Sequence, residues 1–247
     1  MVSPVREFLD HLRNERRLSP HTVRAYGGDL RKFAEFLGGE EELLGGRVDR
    51  SALRRFLGEL HARGYRKTSI ARMLACLRTF YEYYLRSERI EANPVRPLPT
   101  PRLERKLPRF LEEEEVRRLL EEGSTDGGFG TVRNRALLEV LYGGGLRVSE
   151  AVGLEVGDVD LSEGTARVRG KGGKERLAPL GSAAVRALAA YLPERDARLV
   201  EMGRAGEAAL FINRTGSRLN VRSVRRILER RAAETGLRTR VTPHTLR

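Results

Sequence analysis

Five prolines between residues 94 and 108, in the stretch NPVRPLPTPRLERKLP, constrain this chain more than any other feature. Proline lacks a backbone donor and fixes φ, so no helix runs through such a stretch. Its four basic side chains favour an extended, solvated connector. The 247 residues therefore divide near residue 100 into two parts, each long enough to bury a core of its own.

The first part predicts four amphipathic helices, because apolar residues recur three to four positions apart. Val5, Phe8, Leu9 and Leu12 mark the first. Ser19-Pro20 opens the second, an N-cap followed by proline at the first helical position, and Gly38-Gly39 stops it. The third follows Asp49 and ends near Gly64, and the fourth follows Lys67-Thr68 and carries Ile70, Met73, Leu74, Leu77, Phe80, Tyr81 and Tyr84. These stripes are core.

Beyond the prolines the pattern stays helical, with one change of period. LEEEEVRRLLEEG predicts a helix whose first turn is acidic, which suits the macrodipole and makes Glu112 to Glu115 a solvated helix start rather than a metal site. Residues 131–142 predict a helix stopped by Gly143-Gly144-Gly145, and the next begins at Arg147 and runs to about Leu154. TARVRG and ERLAPL then flank Lys171-Gly172-Gly173-Lys174 as two strands of a hairpin. Helices resume over 182–203, ALFI forms a short apolar piece at 209–212, and VRSVRRILERRAAETG predicts a last helix closed by Gly236.

Charge narrows the class of partner. The formal charge is +13, shared between residues 1–100 (19 basic, 13 acidic) and 101–247 (28 basic, 21 acidic), so a polyanion that binds this chain touches both parts. Arginine outnumbers lysine 42 to 5, which genomic base composition or heat adaptation would also produce. A single cysteine, Cys76, excludes an intrachain disulfide framework and a multi-cysteine metal site, and reads as a small buried hydrophobe. No run approaches the roughly 20 apolar residues of a bilayer span, and the first residues lack the apolar run of a signal peptide, so a cytoplasmic protein with no membrane partner is expected.

Three short motifs bear chemistry: Gly145-Leu146-Arg147-Val148-Ser149-Glu150, the hairpin lysine Lys171, and His244-Thr245-Leu246-Arg247. Taken singly, Arg147 and Glu150 are an ordinary pair three apart on a helix, and His244 and Arg247 are polar residues of one turn. The glycines before Arg147 lack P-loop spacing, and Lys171 is followed by Gly rather than Ser or Thr, so no nucleotide is expected.

In this order, GLRVSE, RGKGGKERLAPL and TPHTLR resemble the tyrosine recombinases of the phage integrase family, and the Xer-type branch that resolves chromosome dimers in particular. The LSPHTVRAYGGDLRKFAEFL segment and the proline connector extend the resemblance over nearly the whole chain. It implies a mainly α fold: a four-helix, SAM-like core DNA-binding domain over residues 1–95, a linker over 96–109, and a mostly helical catalytic domain with a small antiparallel β-sheet over 110–247. It implies a metal-free and cofactor-free phosphoryl-transfer site in which Arg147 and Arg247 clamp the scissile phosphate, His244 assists proton transfer, and Lys171 protonates the leaving 5′-hydroxyl. Planar, permanently charged guanidinium forks suit the negative charge of a phosphorane-like transition state. A proton donor cannot be arginine, so lysine at 171 is what a chain this rich in arginine would keep there. Glu150 is the acidic residue that holds Arg147 in its rotamer. The implied partners are double-stranded DNA and a homo- or hetero-tetramer of protomers on two sites. Base-reading side chains are expected on the second and fourth helices and on the helix at 221–231, with Arg24, Arg72, Arg222 and Arg225 as candidates, and Lys174 as a phosphate contact.

The family pattern continues past H-x-x-R to a nucleophilic tyrosine, whereas this sequence stops at Arg247 and its seven tyrosines (26, 65, 81, 83, 84, 142 and 191) all lie upstream of that position. The chain as given is therefore expected to bind DNA without cleaving it and to be a fragment of a longer recombinase. The alternative is a non-catalytic accessory protein that occupies recombination sites. A topoisomerase-like enzyme with the same chemistry is a third reading.

Overall fold

A computed structural model describes residues 3–46, 48–102, 111–121, 128–170, 173–237, 241–243 and 245–246. The chain forms two compact units, Met1–Lys106 and Leu107–Arg247.

The first unit is built from α1 (Pro4–Asn14), α2 (Pro20–Leu37), a single 3-10 turn at Glu41–Leu43, α3 (Arg50–Ala62) and α4 (Lys67–Arg86). Local chemistry sets their ends. Ser3, Ser19 and Asp49 cap α1, α2 and α3 by accepting from the backbone N–H three residues on, and Pro4 and Pro20 occupy the first helical position. Gly38 ends α2 at φ +103°, a left-handed conformation that costs glycine nothing. The four stripes meet in one core around Phe8, Phe33, Phe80 and Tyr84. Two of its tyrosines stay satisfied by donating to backbone: Tyr81 to the carbonyl of Leu43 and Tyr84 to that of Pro4, each at 2.9 Å. Cys76 is fully buried, with its thiol 3.6 Å from the carbonyl of Tyr26.

The start of the proline stretch differs from the solvated connector read from sequence. Asn93 accepts from the N–H of Val95, consecutive turns follow, and Val95 and Leu98 are buried in the first core. Arg78 on α4 donates to the carbonyl of Leu98 and, at 2.8 Å, to Thr100. Proline removes donors but leaves two apolar side chains free to pack, and burial wins for the first half of the stretch. Residues 103–110 lie outside the described residues.

The second unit contains α5 (Glu113–Glu121), α6 (Phe129–Gly143), α7 (Val148–Gly153), β1 (Val159–Asp160), β2 (Thr165–Arg169), β3 (Glu175–Pro179), α8 (Ser182–Glu201) and α9 (Val221–Glu234). The strands form one antiparallel sheet in the order β1-β2-β3, with Ala166 opposite Ala178 and Val168 opposite Arg176. β1 is a third strand that the hairpin reading omitted. Residues 182–201 form one helix with Pro193 within it, as the helical pattern over 182–203 predicts. α6 is the central element, with Ala136, Leu137, Leu138, Val140 and Leu141 all buried, and it packs along α8. Tyr191 of α8 is fully buried, and its hydroxyl accepts the N–H of Ile212 at 3.2 Å.

Three buried arginines fasten loops and helix ends to this core. Arg133 donates to the carbonyl of Ile212 at 3.1 Å, Arg195 to that of Ala209 at 2.9 Å, and Arg231 to those of Leu119 and Leu120 at 3.0 and 3.4 Å. The last pair satisfies carbonyls in the final turn of α5. Among the described residues no helix is long and apolar enough to cross a membrane.

The docked connector makes a prediction. Leu98→Ala should destabilise the first unit by about 2–3 kcal/mol, the cost of a buried cavity, whereas truncating a solvated linker residue would cost almost nothing. Thermal unfolding of the variant distinguishes the two.

Candidate active site

Arg147 reaches the surface through a turn that glycine makes possible. α6 ends at Gly143, and a Cβ on Gly144 would collide with the side chain of Leu146 and stand 2.9 Å from the carbonyl of Val140. Gly145 has φ +55°. The turn buries Leu146 in the core and leaves Arg147 at the start of α7 with a side chain 49% exposed.

Glu150, three residues on, carries the arrangement. Its side chain is 4% exposed. Oε2 accepts the backbone N–H of Arg147 at 2.9 Å, while Oε1 accepts from Nη1 of the same residue at 2.8 Å. One carboxylate thus caps α7 and fixes a guanidinium. It serves a second arginine as well, because Nη2 of Arg176 on β3 donates to Oε2 at 3.0 Å. Burial by itself would push this carboxyl up, but the Arg147 bonds and the charge of Arg176 outweigh it and hold the group below the usual glutamate range.

The hairpin is brought to the same place. Ala166 and Val168 share one face of β2 by strand alternation, with Ala178 and Arg176 opposite on β3, and Gly170 follows directly after the strand. A Cβ on Gly170 would stand 3.8 Å from Oε1 of Glu150, and the Gly170 N–H donates to the carbonyl of Lys174 at 2.7 Å. The hairpin therefore closes directly beside the carboxylate that holds Arg147. At the C-terminal motif, Thr242 and Thr245 close a turn, Leu246 is buried in the same core as Leu146, and Thr245 and Leu246 line a cleft with Tyr142 and Gly145.

Of the residues singled out from sequence, Arg147 and Glu150 are in direct contact, Gly170 before Lys171 lies beside Glu150, and Thr245 and Leu246 after His244 lie beside Tyr142 and Gly145. Lys171, His244 and Arg247 themselves lie outside the described residues. Lys174, Arg222 and Arg225 are exposed, the last two on one side of α9. Arg24 is exposed on α2, and Arg72 on α4 is bonded to the buried Asp29. Sequence reasoning missed Arg176. Its signal was present in the alternation Arg176, Ala178, Leu180, which puts the arginine on the inward face of a strand whose next inward residue is buried alanine. Among the described residues no group of three His, Cys, Asp or Glu side chains is placed to hold a metal ion.

Glu150→Gln should lower stability by about 1–3 kcal/mol at pH 7, through loss of charged bonds to a buried acceptor. Because the folded carboxyl titrates below its unfolded value of 4.5, its contribution is complete above that pH and disappears as pH falls through the lower folded value. Unfolding curves of wild type and variant should accordingly converge in acid.

Comparison with known proteins identifies the family. Residues 5–88 match the model described as the phage integrase N-terminal SAM-like domain, and residues 109–247 match that of the phage integrase family. Tyrosine recombinase XerC of Pelobacter propionicus is 43% identical over all of this chain and 80% of its own length. XerC of Pelotomaculum thermopropionicum is 42% identical, over all of this chain and 83% of its own. Among solved structures, a λ integrase dimer bound to a COC′ core site matches 99% of this chain and 85% of its own, with a TM-score of 0.72 at 17% identity. The XerH site-specific recombinase bound to difH matches 99% and 71%, with a TM-score of 0.68 at 24% identity. Those two likenesses are of fold, while the family models and the XerC relatives establish descent: the chain belongs to the phage integrase family and is a tyrosine recombinase, an enzyme of site-specific DNA recombination.

Proposed function

We propose that this chain acts in the cleavage and rejoining of double-stranded DNA at a specific site, a reaction that proceeds through a 3′-phosphotyrosyl intermediate whose tyrosine is none of the seven in this sequence, and that it serves chromosome dimer resolution. The XerC relatives support that biological role, and the neighbours solved on DNA support the substrate, one of them a λ integrase tetramer bound to a Holliday junction. Four protomers, identical or of two kinds, act on two sites. Residues 1–95 form the core-binding domain, 96–109 the linker and 110–247 the catalytic domain. Arg24, Arg72, Lys174, Arg222 and Arg225 contact DNA. A chromosomal substrate puts the protein in the cytoplasm.

The observation that carries this reading is the Glu150 carboxylate, which fixes Arg147 at the surface and stands beside the closing pair of the hairpin. Arg147 and Arg247 clamp the nonbridging oxygens of one phosphodiester, where a planar fork meets two oxygens at once. A tyrosine oxygen forms the new bond to phosphorus while the bond to the 5′ oxygen breaks. Lys171 gives its proton to that leaving oxygen, and His244 hydrogen-bonds the phosphate and assists removal of the proton that the tyrosine hydroxyl gives up. One phosphodiester is exchanged for another, so the step requires no nucleotide and no metal. Glu150 touches no DNA in this scheme and acts by holding Arg147 in place.

Incubating the full-length gene product with a nicked suicide duplex carrying a candidate chromosomal site should trap a covalent protein–DNA adduct. Absence of an adduct on every candidate site contradicts the assignment. Arg147→Ala should reduce adduct formation by at least about a hundredfold, the usual loss when one charge-stabilising donor is removed. Its affinity for the duplex should stay within a few-fold, because binding is spread over many phosphate contacts. Equal losses of binding and cleavage would instead mark Arg147 as structural.

A further inference from the structure

The first unit repeats the device that holds Arg147. Asp29 on α2 has a side chain only 2% exposed, and its carboxylate accepts from Nη1 of Arg72 on α4. The same Nη1 donates to the carbonyl of Ala25, one turn earlier on α2, at 3.4 Å. Arg72 is nonetheless 43% exposed, close to the 49% of Arg147. A buried carboxylate is a costly way to pack two helices together, and an apolar pair would serve stability at least as well. What it does supply is a guanidinium fixed in one orientation at the seam between α2 and α4. Among the described residues both bonds of Arg72 use Nη1, which leaves its Nε–H and Nη2–H edge for an outside partner.

Orientation distinguishes two kinds of DNA contact. A phosphate is served by charge and tolerates a swinging side chain. A base edge is not, because two donors must meet two acceptors at fixed spacing, and the commonest such pair is arginine with O6 and N7 of guanine. Building on the reading of this chain as a site-specific DNA-binding enzyme, the geometry points to Asp29 as a positioning residue that presents Arg72 to a guanine in the major groove, which makes the pair a determinant of site specificity.

Selection from a pool of duplexes with randomised base pairs tests this, using the wild-type chain and its Arg72→Ala, Arg72→Lys and Asp29→Asn variants. The selected duplex is then titrated across a range of salt, with and without 7-deazaguanine at the implicated position. The wild-type chain should select guanine at one position and lose roughly tenfold affinity when N7 is removed. All three variants should lose that preference and keep those at other positions, and Arg72→Lys and Asp29→Asn should leave the salt slope unchanged. Uniform weakening on every sequence, with the salt slope of Arg72→Ala reduced by about one, identifies a phosphate contact and overturns the proposal. Retained guanine preference in Asp29→Asn also overturns it, since the carboxylate would then serve packing alone. If Asp29→Asn shows no cooperative thermal transition, Arg72→Lys decides, because lysine keeps the charge and lacks the fork: retained preference again overturns the proposal. A wild-type chain that selects no sequence overturns the site-specific reading itself.

Discussion

A single buried carboxylate organises the second unit. Glu150 closes the first turn of α7, holds Arg147 in a fixed position and receives Arg176 from the hairpin, so two segments distant in sequence depend on one charge. Burying a carboxylate is unfavourable unless its lone pairs are filled, and here guanidinium and backbone donors fill them. With two arginines on one carboxylate, the cluster keeps a net positive charge facing solvent through the half-exposed side chains of Arg147 and Arg176. The proposed phosphate clamp draws on that surplus.

The arginine content takes on two meanings in the structure. Arg133, Arg195 and Arg231 are buried and each donates to a backbone carbonyl, Arg133 also to the side chain of Asn134 and Arg195 to that of Asp196, so part of the sequence's positive charge is structural fastening rather than a surface for a polyanion. Guanidinium is suited to this because its five donors can satisfy two carbonyls from one side chain. Arg24, Arg222 and Arg225 are exposed, and residues of this second kind present their charge to solvent. Net charge alone could not separate the two uses, since burial depends on packing between distant elements.

The helices were legible because their signals are local. Ser19-Pro20, Asp49 and Gly38 each act within one turn of where they sit, and the stripes of α2 and α4 repeat at helical spacing. The family's ordered motifs also identified Arg147 and Glu150 as a pair. β1 escaped notice because two residues carry no period, and its pairing with β2 is set by tertiary contact. The docking of Val95 and Leu98 was hidden for a related reason: prolines dominate the local pattern, while burial is decided by α4 alongside. Arg176 and Asp29 are functional in this account only through partners 26 and 43 residues away, a relation that spacing does not express.

The most direct measurement is a structure of the full-length protein on a nicked DNA site with vanadate in place of the scissile phosphate. Arg147 should be bonded at once to Glu150 and, at about 3 Å, to a vanadate oxygen, with Lys171, His244 and Arg247 around the same ion. A vanadate bound away from Arg147, or an Arg147 that leaves Glu150 to reach it, would contradict the claim that this carboxylate prearranges the phosphate clamp.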